Sequence, residues 1–196
     1  MSEREAQYGE HPLVFMGIDP GTRSCGLASI RSMLGQDPIL LGDHTILTPA
    51  KFSGRDAVRY VMEVVMDEIR ICYIPAELRL LGIEDFDFQG HTISASAHDT
   101  YLLVGALDEL RHQVPEILWL KAGLWKQALT GLRIYSDPQL RATINYRLGL
   151  PGYKFSSEHA LDAAGIALVA SDRYLLAQAA GVKAEELRYH ARRVRR

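Results

Sequence analysis

The sequence predicts an α/β protein with one mixed five-stranded sheet flanked by helices. Three observations predict it. Near the start, three short apolar runs are separated by Pro, Gly and Asp, which reads as successive strands. Two later apolar runs each follow a stretch with helical spacing, which reads as βαβ units with parallel strands. After the last of these runs the chain carries only helical patterns.

Each element has its own signal. Leu13–Asp19 is an apolar run that ends in an acid and is broken by Pro20-Gly21, a strand followed by a tight turn. Ser24–Arg31 reads as the second strand. Pro38–Leu47 reads as the third, with a polar break at Gly42-Asp43-His44. Short links between these three give an antiparallel meander. From Asp56 to Tyr73, Val58, Val61, Met62, Val65, Ile69 and Cys72 recur at helical spacing. Pro75 ends that helix, and Arg79–Ile83 forms a fourth strand that runs into Glu84. Beyond Gly90, Ser94–Gln113 is a helix rich in small residues (Ala95, Ala97, Gly105, Ala106), which permits close packing. Pro115 leads the fifth strand, Glu116–Leu120, and Ala122–Leu129 is a short helix carrying Trp125 and Lys126. Asp137-Pro138 opens another helix, since Asp caps well and Pro suits the first turn. After a Gly149–Gly152 loop, Ser156-Ser157-Glu158 opens the final helix. It runs to about Ala180 with Leu161, Ala164, Ile166, Leu168 and Val169 on its apolar face. Strands four and five are expected parallel to the first, through right-handed crossovers.

Composition narrows the function classes. At 196 residues, 47% of them hydrophobic, the chain is long enough for one domain with a real core. Its two cysteines, Cys25 and Cys72, are far apart and match no disulfide framework or metal-binding spacing, which points to a reducing compartment. No stretch approaches the roughly 20 apolar residues of a membrane span, and residues 1–12 are polar, a disordered lead-in rather than a signal peptide. Net charge is −2, but Arg188, Arg192, Arg193, Arg195 and Arg196 crowd the end. Taking those five from 22 leaves 17 basic against 24 acidic residues, a basic tail (183–196) on an acidic body. That asymmetry suits a polyanionic partner.

The chemistry sits at strand ends. The first strand ends in Gly17-Ile18-Asp19-Pro20-Gly21-Thr22 and the fourth in Gly82-Ile83-Glu84-Asp85. In open α/β sheets, ligands bind outside strand ends near a topological switch. If the two strands are neighbours, Asp19 and Glu84 face one crevice. Asp162 lies one turn into the final helix with His159 three residues before it, so the two share a face. Such oxygen ligands suit Mg²⁺, or Mn²⁺ in its place, rather than zinc. Two ions about 4 Å apart activate a water and stabilise the leaving oxygen of a phosphodiester. Gly21 and Gly26 are expected to flank a turn whose open backbone admits a phosphate.

These residues resemble a known family. Met16-Gly17-Ile18-Asp19-Pro20-Gly21-Thr22-Arg23-Ser24-Cys25-Gly26 resembles the opening motif of the RuvC Holliday-junction resolvases, which have an RNase H-like fold. Gly82-Ile83-Glu84-Asp85-Phe86 resembles their second motif. Leu120-Lys121-Ala122-Gly123-Leu124-Trp125-Lys126-Gln127, with Gly131 after it, is similar to the third. Glu158 to Ala167 resembles the last. The resemblance spans about residues 14–175 and makes 13–182 the nuclease domain. It implies a homodimeric endonuclease that resolves four-way DNA junctions by paired nicks in strands of like polarity, with two Mg²⁺ per site. Asp19, Glu84 and Asp162 would hold metal. His159, where many members carry Asp, would be a further catalytic group or borderline ligand. Lys126, with Arg23 and Lys121 in the same motifs, would contact DNA. Phe86 or Phe88 would wedge the junction, or both pack as core. The small-residue helix, or the one before it, would form the dimer interface. One departure is Ser136-Asp137-Pro138-Gln139, where the family commonly has a further Lys. The lead-in and Arg tail are extra. Such divergence points to an atypical bacterial, viral or mobile-element member working in the cytoplasm, with a branch-migration motor left open as partner. Other branched-DNA cleavage, a non-catalytic junction binder and an actin-like ATPase are the alternatives. The last needs two such domains, which 196 residues do not hold.

Overall fold

In the computed structural model, which describes residues 13–72, 78–85 and 95–184, the meander expected from the sequence is present. Strands β1 (Leu13–Asp19), β2 (Ser24–Ser32) and β3 (Ile39–Leu47) pair antiparallel in succession. Strand β4 (Leu78–Asp85) adds to the other side of β1 in parallel, and β5 (Ile117–Lys121) adds in parallel to β4. The sheet order is therefore β3-β2-β1-β4-β5. Helices α1 (Gly54–Cys72), α2 (Ala95–Asp108), α3 (Ala122–Thr130), α4 (Asp137–Arg147) and α5 (Glu158–Ala180) complete it. One expected element is broken. The helix foreseen over Ser94–Gln113 stops at Asp108 and continues as a 3₁₀ turn, Glu109–His112. There Arg111 Nε meets Asp108 Oδ1 at 2.5 Å, a three-residue spacing that the tighter turn brings into line.

Strand alternation divides the interior into two cores. On one face Val14, Met16 and Ile18 of β1 pack with Leu81 and Ile83 of β4 under α1 and α2. On the other, Leu13 and Phe15 pack with Leu80, Leu118 and Leu120 under α3, α4 and α5. Helix α5 is the centre of that second core, with Ala160, Leu161 and the whole run Ala163–Ser171 buried. It lies almost on the sheet backbone. A Cβ added at Gly17 would sit 1.9 Å from the Ala163 carbonyl oxygen, and one at Gly26 2.0 Å from that of His159. Only glycine admits a helix that close. This corrects the expectation for Gly26, which is covered by α5 and offers no open backbone to a phosphate.

The lead-in 1–12, Phe86, Phe88 and the terminal arginines lie outside the described residues. Among the described residues, no helix is long and apolar enough to cross a membrane.

Candidate metal centre

Parity along the strands aims the acids. On β1, Phe15 faces α5, so Gly17 and Asp19 do too. On β4, Leu80 does, so Gly82 and Glu84 follow. The register pairs Phe15 with Leu80 and Gly17 with Gly82, which brings Asp19 and Glu84 out side by side at the same sheet edge. In both strands an aliphatic or aromatic residue anchors the face, a glycine lets α5 cross, and an acid emerges beyond the crossing.

Helix α5 delivers the third acid. Ser157 caps it, its hydroxyl accepting from Ala160 N at 3.1 Å. The cap is tied to the far edge of the sheet, because Thr45 Oγ1 lies 2.7 Å from Ser157 Oγ and 2.9 Å from Ser156 Oγ. Asp43 accepts from Tyr153 Oη at 2.5 Å and from Ser156 N at 2.7 Å. These bonds fix where α5 begins, and hence where His159 and Asp162 fall. Beyond the helix-opening serines nothing local signals this clamp, since its partners are more than 100 residues apart.

One carboxylate oxygen from each of Asp19, Glu84 and Asp162 lies within 4.8 Å of the others. Two cationic groups border them. His159 Nδ1 lies 2.6 Å from Asp19 Oδ2, and Lys126 Nζ lies 2.6 Å from Asp162 Oδ2. Lys126 thus sits inside the acidic cluster with 19% of its side chain exposed. Trp125 brings it there. The indole is fully buried against α5, over Gly165, where a Cβ would meet its Cζ3 at 2.5 Å. Its Nε1 makes no hydrogen bond of ordinary length, yet it is near enough to Glu84 to lower that carboxyl's pKa slightly.

The electrostatics follow from crowding. Burial, then the charge of Asp19, pushes Glu84 up to about 7; Lys126 opposes this, and Asp162 adds a smaller push. Burial likewise raises Asp162, although Lys126 opposes it. The hydrogen bond that the His159 ring donates to the Asp19 carboxylate raises His159 despite its partial burial. Lys126 loses some basicity to burial but gains more from Asp162 and Glu84, so it too is raised. Three hard oxygens that repel one another strongly enough to hold a proton are a fitting donor set for a hard divalent cation.

The other expected residues sit apart. Arg23 is exposed just past β1, its Nη1 donating to the Phe52 carbonyl at 2.8 Å. Lys121 is exposed at the end of β5, paired in register with Asp85. It lines a cleft of about 250 Å³ with Trp119, Leu124 and Arg173.

No family model matches the sequence, and no curated relative does. Solved structures do. A Thermus thermophilus RuvC structure is 21% identical, covering 85% of this chain and 98% of its own, with a TM-score of 0.69. T. thermophilus RuvC in complex with Holliday junction substrate is 20% identical, covering 85% and 97%, with a TM-score of 0.71. The chain has the RuvC fold. That fold is RNase H-like, so the mixed sheet flanked by helices is the architecture the sequence motifs implied.

Proposed function

We propose that this chain is a divalent-metal-dependent endonuclease for branched DNA, with the four-way junction as its principal substrate. The observation that carries the reading is the convergence of Asp19, Glu84 and Asp162 within 4.8 Å at one sheet edge. That they do so on the fold of a protein solved with a Holliday junction supports the choice of substrate. The three carboxylates would hold Mg²⁺ or Mn²⁺, two ions in the full site. Bound there, the metal supplies an activated water and charge stabilisation for phosphodiester hydrolysis.

The chain's own groups do the rest. Asp19 fixes the His159 ring through Nδ1, which leaves Nε2 to exchange a proton with the attacking water or the leaving oxygen. Lys126 carries its charge throughout and is placed to meet the phosphate when a cation takes over Asp162. Two nicks in a two-fold junction call for a two-fold protein. Helix α2, with Tyr101 and Leu102 exposed beside Gly105, is the face we assign to the homodimer. Arg23, Lys121 and the Arg-rich end supply further phosphate contacts.

The test is an end-labelled synthetic four-way junction incubated with the purified protein and Mg²⁺, alongside flap, fork and duplex controls. We expect paired nicks in the junction, none with EDTA, and intact binding but a more than hundredfold slower cut by Asp19→Asn, beyond the usual loss for a group that merely supports a ligand. Cleavage by Asp19→Asn at the parental rate removes the site from the mechanism. Faster cutting of flaps than junctions reassigns the substrate.

A further inference from the structure

The indole of Trp125 is a buried donor beside the carboxylate cluster. Its side chain is fully buried, and among the described residues its Nε1 has no hydrogen-bond partner. An indole nitrogen can only donate, and a buried donor left without an acceptor costs about 1–3 kcal/mol. A donor kept in that condition next to a candidate metal centre calls for an acceptor.

Three neighbours place the ring. Lys126 Nζ, 2.6 Å from Asp162 Oδ2, stands 4.9 Å from the ring centroid. Leu120 of β5 pairs with Glu84 in register, and α3 begins two residues later at Ala122. Gly165 of α5, one turn past Asp162, takes the benzo edge, since a Cβ there would meet Cζ3 at 2.5 Å and Cη2 at 3.1 Å. Those two atoms lie at the other end of the rigid plane from the N–H. With the benzo edge held on α5 the N–H is fixed too, close enough to Glu84 to favour its charged form. The cluster draws one oxygen from each acid, which leaves a second Glu84 oxygen for the indole. A glutamate has three rotatable side-chain bonds, and fixing it costs up to about 2 kcal/mol of rotamer freedom. His159 restrains Asp19 and Lys126 restrains Asp162, each at 2.6 Å. Trp125 is the corresponding group for Glu84.

We propose that Trp125 is a positioning residue for Glu84, its indole N–H donating to one carboxylate oxygen and so turning the other toward the divalent cation. This rests on the metal-dependent reading above and adds to it the group that orients the most crowded ligand. Charge assistance strengthens the bond in the cation-bound state, in which Glu84 is ionised.

The test uses the full chain and Mn²⁺ alone, with binding read by isothermal titration calorimetry. Replacing Trp125 by benzothienylalanine puts sulfur where the indole has its N–H and keeps the shape of the ring. That isostere should weaken Mn²⁺ binding by about tenfold to a hundredfold, the usual loss when a group that holds a metal ligand is removed. Its thermal midpoint in EDTA should not fall, because it gives up an unpaired donor. The chain has two tryptophans, so ¹⁵N-tryptophan protein shows two indole N–H signals, told apart by W119F. Saturating Mg²⁺ should move the Trp125 proton downfield as the bond forms, while Trp119, packed on the core of the other sheet face, should stay. An isostere that binds Mn²⁺ as tightly as the parent, or a Trp125 signal that does not move with Mg²⁺, overturns the positioning role and leaves the metal centre standing. A parent that binds no Mn²⁺ overturns both.

Discussion

Glu84 offers a direct measurement of the charge crowding at the carboxylate cluster. Its folded-state pKa is raised from 4.5 to about 7, first by burial and then by Asp19. A carboxyl raised on folding holds its proton in the native state while the unfolded chain has already released it. The ion-free protein therefore loses stability as pH climbs from about 4.5 to about 7 and is flat above that. At 1.36 kcal/mol per pH unit the whole window is worth about 3 kcal/mol. Other carboxylates titrate over part of this range, so the clean readout is a difference between two proteins. Glu84→Gln keeps the shape and removes the charge. In urea titrations with EDTA, Glu84→Gln should exceed the parent in stability by about 3 kcal/mol more at pH 8 than at pH 4.5, with the gap opening between those values. Saturating Mn²⁺ at pH 8 should reverse the order, because the parent alone keeps the full carboxylate set. A stability difference between the two proteins that does not change with pH would refute the claim that Glu84 is buried against other acids.

Three further outcomes test the scaffold. Gly26→Ala places a methyl against the His159 carbonyl, so it should cost about 2 kcal/mol of stability in urea and abolish Mn²⁺-dependent stabilisation. An Ala variant with parental melting and metal response would mean that α5 does not need the close approach. Asp43→Ala removes the acceptor for Tyr153 Oη and Ser156 N; it should cost about 1–2 kcal/mol and slow cleavage by loosening the start of α5. His159→Ala should remove a contribution that is present below the ordinary His pKa of about 6.5 and lost as pH rises through the raised folded value. Its destabilisation in EDTA should therefore be greater at pH 5.5 than at pH 9, and equal effects at both would show that the Asp19–His159 contact is not ionic.

How much of this was legible in the sequence depends on the range of the interaction involved. Strand order and the two strand-end acids are written in local alternation and turn residues, so Asp19 and Glu84 were found where the strands stop. Asp162 was legible as a position on a helix face. What α5 lies on was not, because the contacts of Gly17 with Ala163 and of Gly26 with His159 join residues more than 130 positions apart. Gly26 was accordingly read as an open turn. The break of α2 into a 3₁₀ turn was missed for the opposite reason: helical periodicity does not distinguish three residues per turn from 3.6 over four residues. Lys126 was expected to contact DNA phosphate; that it also meets Asp162, set there by the burial of Trp125 beside it, was not foreseen. No spacing in the sequence reports that contact.

The same particulars explain how the chain tolerates three acids at one point before any cation binds. Asp162 has Lys126 and Asp19 has His159, each at 2.6 Å, so two of the acids face cationic or protonatable partners. Glu84, held between them by burial and beside Asp19, keeps a proton to about pH 7. With His159 protonated, the cluster then carries two negative and two positive charges. The cost of bringing the acids together is offset by one proton, one ammonium and one imidazolium, each of which a divalent cation bound there, as proposed, would displace or release. The features that make the ion-free site tolerable are thus the ones a hard cation would replace in the proposed metal-bound site. Removing the ammonium with Lys126→Met would leave Asp162 half-buried and unpaired beside two other acids, so Lys126 supports the folding of this site whatever its part in the proposed chemistry.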